Sequence, residues 1–232
     1  MKQTDKQKSN LSILMYMFTV VISFYTVGEL VGIDHSPAYH YETYLKEIAI
    51  ALVPLIITLS FPPIRKMLWQ SFDTSPLSSK KIWFYIIGFL LVYYFIFKIT
   101  FDYEIFISKS WVIYYDWGIP YITYFTYPVL GFSLYIFSRV ILAPIIEEFI
   151  YRVFFISFFS KWINVWIVVI LQAAIFTFNH PFSPFLAGIL GLFLGILYVK
   201  TKSIIPVLIC HSVWNLYSAL VMNFDFWFIP RW

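Results

Sequence analysis

Three short stretches in the second half of the chain carry the side chains best suited to chemistry. Glu147 and Glu148 are adjacent, and Arg152 follows Glu148 by four residues. His180 closes an uncharged run with Phe176 one turn before it, and His211 precedes Asn215 by four. Helical positions four apart share a face, so Glu148 and Arg152 can pair. Glu147 lies about 100° around the axis, so the two cannot use Arg152 equally well and one carboxylate is left needing another partner. Neighbouring carboxylates in a low dielectric cannot ionise independently, which is how a general base or acid is made. Asn215 could fix the tautomer of His211 or donate to a developing oxyanion. Acid, imidazole and amide groups together could surround an activated water or a metal ion. Each group also has a plainer reading. The carboxylates and Arg152 could be a buried ion-pair staple, His180 an interfacial histidine, and His211 with Asn215 a contact that glues helices.

Apolar helices must position these groups. Of 232 residues, 61% are hydrophobic, 23% aromatic and only 12% charged. A soluble domain is about 25% charged, so this chain could not cover itself in water, and large soluble domains and disordered tails are excluded. It reads as a polytopic integral membrane protein. Its net charge of +4 comes mostly from Lys and Arg between apolar runs, a pattern that sets orientation in the bilayer and does not point to nucleic acid. The single cysteine, Cys210, excludes an intramolecular disulfide and a multi-cysteine metal site. A charge inside a span costs several kcal/mol unless paired or facing a polar cavity, which makes Glu147, Glu148 and Arg152 informative. Glu29 sits near a span end and reads as interfacial.

Residues 11–28, 48–64 and 82–99 read as three spans, with Pro62 and Pro63 stopping the second. Arg65, Lys66, Lys80 and Lys81 flank a polar loop, and 100–118 mixes charges with Trp and Tyr as a headgroup-interface segment does. Apolar runs at 119–138, 143–160, 162–179, 181–199 and 203–224 follow. As one helix, 119–160 would run about 63 Å, twice the membrane core, and Pro144 invites a break. Two helices are therefore expected there. The expected fold is an all-α polytopic transmembrane helix bundle of about eight spans with both ends cytoplasmic. Seven spans is the alternative, and it would put Lys161, Lys200 and Lys202 in the cytoplasm, as the positive-inside rule prefers. A site at Glu147 and His180 would open to the cytoplasm with eight spans and outward with seven. Residues 1–118 are expected to hold amino-terminal helices and the interfacial segment, and 119–232 the core helices, in one integrated bundle. Ala187, Gly191 and Gly195 form a small-residue stripe for close helix packing.

The three stretches, in this order on successive apolar helices, resemble the CPBP family, the CAAX protease and bacteriocin-processing intramembrane peptidases also called the Abi family. The motifs are Glu-Glu-xxx-Arg (Glu147, Glu148, Arg152), Phe-xxx-His (Phe176, His180) and His-xxx-Asn (His211, Asn215), and they cover roughly the last 90 residues. Val153 stands where many members have glycine. The resemblance implies a CAAX-protease-like bundle acting as an intramembrane endopeptidase. It implies that Glu147 activates water and His180 holds that water or a metal. His211 and Asn215 would complete the site and steady the oxyanion, with Glu148 and Arg152 as a supporting pair. No metal is assigned. Zinc is the option left open, and Glu147, His180 and His211 would be its ligands; the chain lacks His-Glu-xx-His. The expected partners are a membrane-associated or prenylated-type peptide and the lipid bilayer, in a bacterial cell membrane with a cytoplasmic amino terminus. Bacteriocin or peptide maturation and self-immunity are the expected roles. A non-catalytic immunity or peptide-binding protein is the alternative, and a proton-coupled transporter a more distant one, with no inverted repeat to support it.

Overall fold

The computed structural model describes residues 15–16, 19, 41–103, 105–106, 128–180 and 183–224. Most of the expected first span, Glu29, most of the 100–118 interfacial segment and residues 119–127 lie outside them. The described residues form helices α1 (Tyr41–Ser60), α2 (Pro62–Ser71), α3 (Lys80–Asp102), α4 (Val129–Phe159), α5 (Val165–Phe178), α6 (Pro184–Thr201) and α7 (Ile205–Phe224), with a 3₁₀ turn at Ser75–Ser78. No strand occurs among them.

Helix ends follow local chemistry. Pro62 and Pro63 stop α1 and open α2, since a missing N–H costs nothing in a first helical turn. The chain bends by 102° there. The expected polar loop after Pro63 therefore begins as a helix, α2, which buries Ile64 and Leu68 and exposes Arg65, Lys66 and Trp69. Asn164 caps α5 by accepting the Trp166 N–H at 2.9 Å. Lys202, in the left-handed region at φ 54°, closes α6.

Residues 129–159 form one continuous helix of 31 residues. The break expected at Pro144 does not occur. Two π-helical stretches, Phe137–Leu142 and Phe149–Ile156, flank the α-helical Ala143–Glu148. The Ala143 N–H reaches back five residues to the Ser138 carbonyl. Pro144 has no N–H, so the Arg139 carbonyl loses both ordinary helical donors. Asn215 of α7 supplies the replacement, donating from Nδ2 to that carbonyl at 2.9 Å. A tertiary hydrogen bond thus carries the helix through its proline.

Among the described residues, α3, α4 and α6 are long and apolar enough to cross a membrane, as are residues 48–78 if the bent pair is one span; α5 and α7 are shorter apolar helices. One uninterrupted α4 matches the seven-span alternative in this part of the chain rather than the eight-span expectation. The far end of α6 agrees. Ser203 Oγ donates to the Asp73 carbonyl at 2.5 Å, and the Ile204 N–H to the Ser71 carbonyl at 2.9 Å. Lys200 and Lys202 therefore sit at the same end of the bundle as Arg65–Lys81. Ser157 and Tyr198 share a hydroxyl hydrogen bond at 3.0 Å, which brings the Lys161 turn to that end too.

The α5–α6 contact uses the small-residue stripe. A Cβ on Gly195 would come within 2.7 Å of Gln172 Nε2, and one on Gly191 within 3.1 Å of the Phe176 ring. Tyr93 ties α3 to α6 by donating to the Leu186 carbonyl at 2.8 Å, and its ring meets Trp214 of α7 at 4.3 Å. Outside, α3 exposes Phe84, Ile87, Leu91, Val92, Phe95 and Ile99, a face suited to lipid and too apolar for water.

Candidate active site

Glu147 and Glu148 lie on the α-helical turn between the two π stretches of α4. Their side chains diverge, as the 100° step requires. Glu148 is fully buried and reaches in two directions. Oε2 meets Arg152 Nε at 2.8 Å, and Oε1 accepts from His211 Nδ1 at 2.7 Å. The Arg152 contact is an ion pair whose N–H is not aimed along the line to the oxygen. A carboxylate only accepts, so the His211 proton facing Glu148 is on Nδ1. In the neutral ring Nε2 then carries the lone pair. Nε2 faces the other glutamate, 3.8 Å from Glu147 Oε2.

That separation is too long for a direct hydrogen bond. One oxygen atom can sit beside the line joining the two, ~2.8 Å from each, and hydrogen-bond to both. Glu147 Oε2 is buried and has no hydrogen-bond partner among the described residues, although the Glu147 side chain as a whole keeps 28% of its surface open. The arrangement is acid, imidazole, gap, acid.

Arg152 is fully buried on the far side of Glu148. Its Nη1 donates to Gln172 Oε1 at 2.7 Å, and its guanidinium lies over the rings of Phe176 at 5.0 Å and Tyr151 at 5.6 Å. Gln172 in turn donates from Nε2 to the carbonyls of Val169 at 3.0 Å and Gly191 at 2.8 Å. A chain of contacts therefore runs from the α6 backbone through Gln172, Arg152 and Glu148 to His211. Sequence reasoning missed Gln172. Its signal was the one amide inside the apolar helix α5, one turn before Phe176.

Phe176 is buried among the catalytic candidates. Its ring centroid is 6.1 Å from that of His211 and 4.2 Å from that of His180. His180 Nδ1 donates to the Phe176 carbonyl at 2.7 Å, which leaves Nε2 as the free acceptor of a neutral ring. Asn179, next to His180, donates to the Tyr151 hydroxyl, one turn after Glu147 on α4. This contact joins the end of α5 to the helix bearing Glu147.

Glu147, Glu148, Arg152 and His211 are thus brought into contact, with Phe176 packed beside them. His180 is held by Phe176, and no carboxylate among the described residues lies within ion-pair reach of it. Two expected roles change. Glu148, rather than Asn215, fixes the His211 tautomer, and Asn215 spends one amide hydrogen on the Arg139 carbonyl. Glu148 is also more than half of a pair with Arg152, because it holds His211 directly.

The zinc set expected as an option was Glu147, His180 and His211. Among the described residues no three His, Cys, Asp or Glu side chains converge in a way that could hold a metal ion. Phe176 contacts both imidazoles, and His180 is turned onto its own helix. The donor set as placed does not fit a zinc ion.

Residues 129–217 match the family model described as type II CAAX prenyl endopeptidase Rce1-like. No curated protein and no solved structure matches the chain. The matched stretch runs from the start of α4 into α7 and includes Glu147, Glu148, Arg152, Phe176, His180, His211 and Asn215. The paired glutamates, His180, His211 and the asparagine therefore all fall within the segment that matches the Rce1-like type II CAAX prenyl endopeptidase model, a likeness consistent with a CPBP family protease.

Proposed function

We propose that this protein is an intramembrane endopeptidase in which Glu147 and His211 act on one oxygen atom. The Rce1-like match supports the CAAX-type endopeptidase class. The observation that carries the mechanism is the 3.8 Å gap between Glu147 Oε2 and His211 Nε2, with Glu148 at 2.7 Å behind the ring.

A water bridging the two would give a proton to Glu147 as its oxygen attacks the scissile carbonyl. The tetrahedral oxyanion needs donors. Asn215 would offer its second amide hydrogen, while His211 Nε2 accepts the other hydrogen of the attacking water and Glu148 holds the ring in that tautomer. Glu147 then passes its proton to the departing amine. Burial strengthens each interaction, since a low dielectric screens charge weakly.

The substrate class we propose is a peptide held at the membrane, either prenylated at a carboxy-terminal motif or a bacteriocin-type precursor. Maturation or self-immunity would be the biological role, in a bacterial cell membrane with the amino terminus in the cytoplasm. The test is cleavage of farnesylated CAAX peptides and an unmodified leader-peptide library by detergent-purified protein, with products sequenced by mass. Internal cleavage that survives chelator is the expected result. Loss on chelation with recovery on added zinc would overturn the metal-free route, and binding without cleavage would overturn the enzyme.

A further inference from the structure

The basic end of the bundle holds a second arrangement, remote in character from the glutamate site. Lys81, in the first turn of α3, places Nζ 5.8 Å from the centroid of the Tyr85 ring. Lys200, in the last turn of α6, places Nζ 5.2 Å from the same ring. Two ammonium groups from different helices therefore converge on one aromatic side chain. Lys80 and Lys202 flank them, and all four lysines are exposed.

Among the described residues none of the four lysines has a carboxylate within ion-pair reach. Asp73, whose carbonyl accepts from Ser203 next to Lys202, turns its carboxylate to Ser75, accepting the backbone N–H at 2.9 Å and the hydroxyl at 2.7 Å. These bonds, the backbone one first, hold its carboxyl below the usual range. The first turn of α3 has no acidic residue either, so the partial positive charge of that helix end adds to the lysines.

The geometry is rigid. The hydrogen bonds of Ser203 and Ile204 to residues 73 and 71 fix the end of α6 beside the start of α3. Trp83 is locked by donating from Nε1 to the Leu77 carbonyl at 2.8 Å. Trp83 and Phe84, which follow Lys80 and Lys81 closely at the start of α3, are exposed, as are Trp69 and Phe72 at the end of α2. Aromatic side chains mixed with lysines at the start of a spanning helix mark headgroup depth. A soluble anion would not require that aromatic flank, whereas a phospholipid uses both parts, phosphate on the ammonium groups and glycerol and upper acyl chain on the rings.

We propose that Lys81, Lys200 and Tyr85 form a binding site for the phosphate of an anionic phospholipid in the adjoining leaflet. The site is independent of the endopeptidase reading and stands or falls without it.

The test is native mass spectrometry of the full chain in neutral detergent, with phosphatidylglycerol or phosphatidylcholine added, and in parallel a melting curve with each lipid or with inorganic phosphate. Wild type is expected to retain phosphatidylglycerol several-fold over phosphatidylcholine and to be stabilised by it and not by inorganic phosphate. Lys81→Gln/Lys200→Gln should bring the two lipids to parity. Lys81→Arg/Lys200→Arg should keep the preference, as should Lys98→Gln, which removes a cation paired with Asp102 at 3.0 Å. Parity in wild type, or an unchanged preference in the glutamine double variant, overturns the proposal. Equal stabilisation by inorganic phosphate also overturns it in favour of a soluble-anion site.

Discussion

Glu148 accepts from His211 and pairs with Arg152 at once, so it is the residue on which the site's geometry turns. Replacing one member of a buried pair strands the other, at a cost of about 3–5 kcal/mol. Glu148→Gln should therefore lower both stability and turnover, the latter by two or more orders of magnitude. A thermal melt beside a cleavage assay checks this, and undiminished turnover would contradict it. Gln172→Leu removes the acceptor of Arg152 Nη1 and the cross-helix donor to the Gly191 carbonyl, leaving a buried guanidinium nitrogen unsatisfied. Such an orphaned group costs about 1–3 kcal/mol, so this variant should melt well below Gln172→Glu, which keeps an acceptor for Arg152. The pairing of Glu148 with Arg152, and a glutamate left over, were legible from spacing alone. The partner of the left-over glutamate was not, because His211 lies 63 residues from Glu148 and only the packing of α7 on α4 brings it near. Gln172 was invisible for the opposite reason: a single amide in an apolar run has no spacing to betray it.

At the scale of elements, helix type and most boundaries followed from hydrophobic run length, prolines and caps. Pro144 did not behave as a helix breaker, because the lost donor is replaced from another helix, and a sequence read locally cannot show that rescue. Asn215→Leu should consequently weaken α4 as well as the oxyanion site, and hydrogen exchange across residues 137–148 should rise in this variant. The α5–α6 contact offers a sharper test. Gly195→Ala puts a methyl 2.7 Å from a fully committed Gln172 Nε2, so something must shift, at a cost of about 1–3 kcal/mol. Gly88→Ala in α3 meets no atom within 4 Å and should be neutral or stabilising. Equal melting temperatures for the two variants would contradict this account of the stripe.

Across the whole molecule, the lysines and arginines of residues 65–81 and 200–202 lie at one end, joined there by the Ser203 and Ile204 hydrogen bonds. Membrane character and the basic bias were plain from composition. The count of crossings was not, since it depended on whether one 42-residue stretch was one helix or two. In a Cys210→Ser background, Lys66→Cys and Lys200→Cys should react with an impermeant maleimide from the same side of sealed vesicles, the cytoplasmic side by the positive-inside rule. Labelling from opposite sides would contradict the single-helix reading of α4. The central claim, that Glu147 and His211 share one reacting oxygen, is tested most directly by turnover of a cleaved peptide by wild type, Glu147→Gln and His211→Gln, each normalised to folded protein. The expected result is a loss of at least a thousandfold in Glu147→Gln with an unchanged melting temperature, and a comparable loss in His211→Gln. Turnover within tenfold of wild type in folded Glu147→Gln would contradict it.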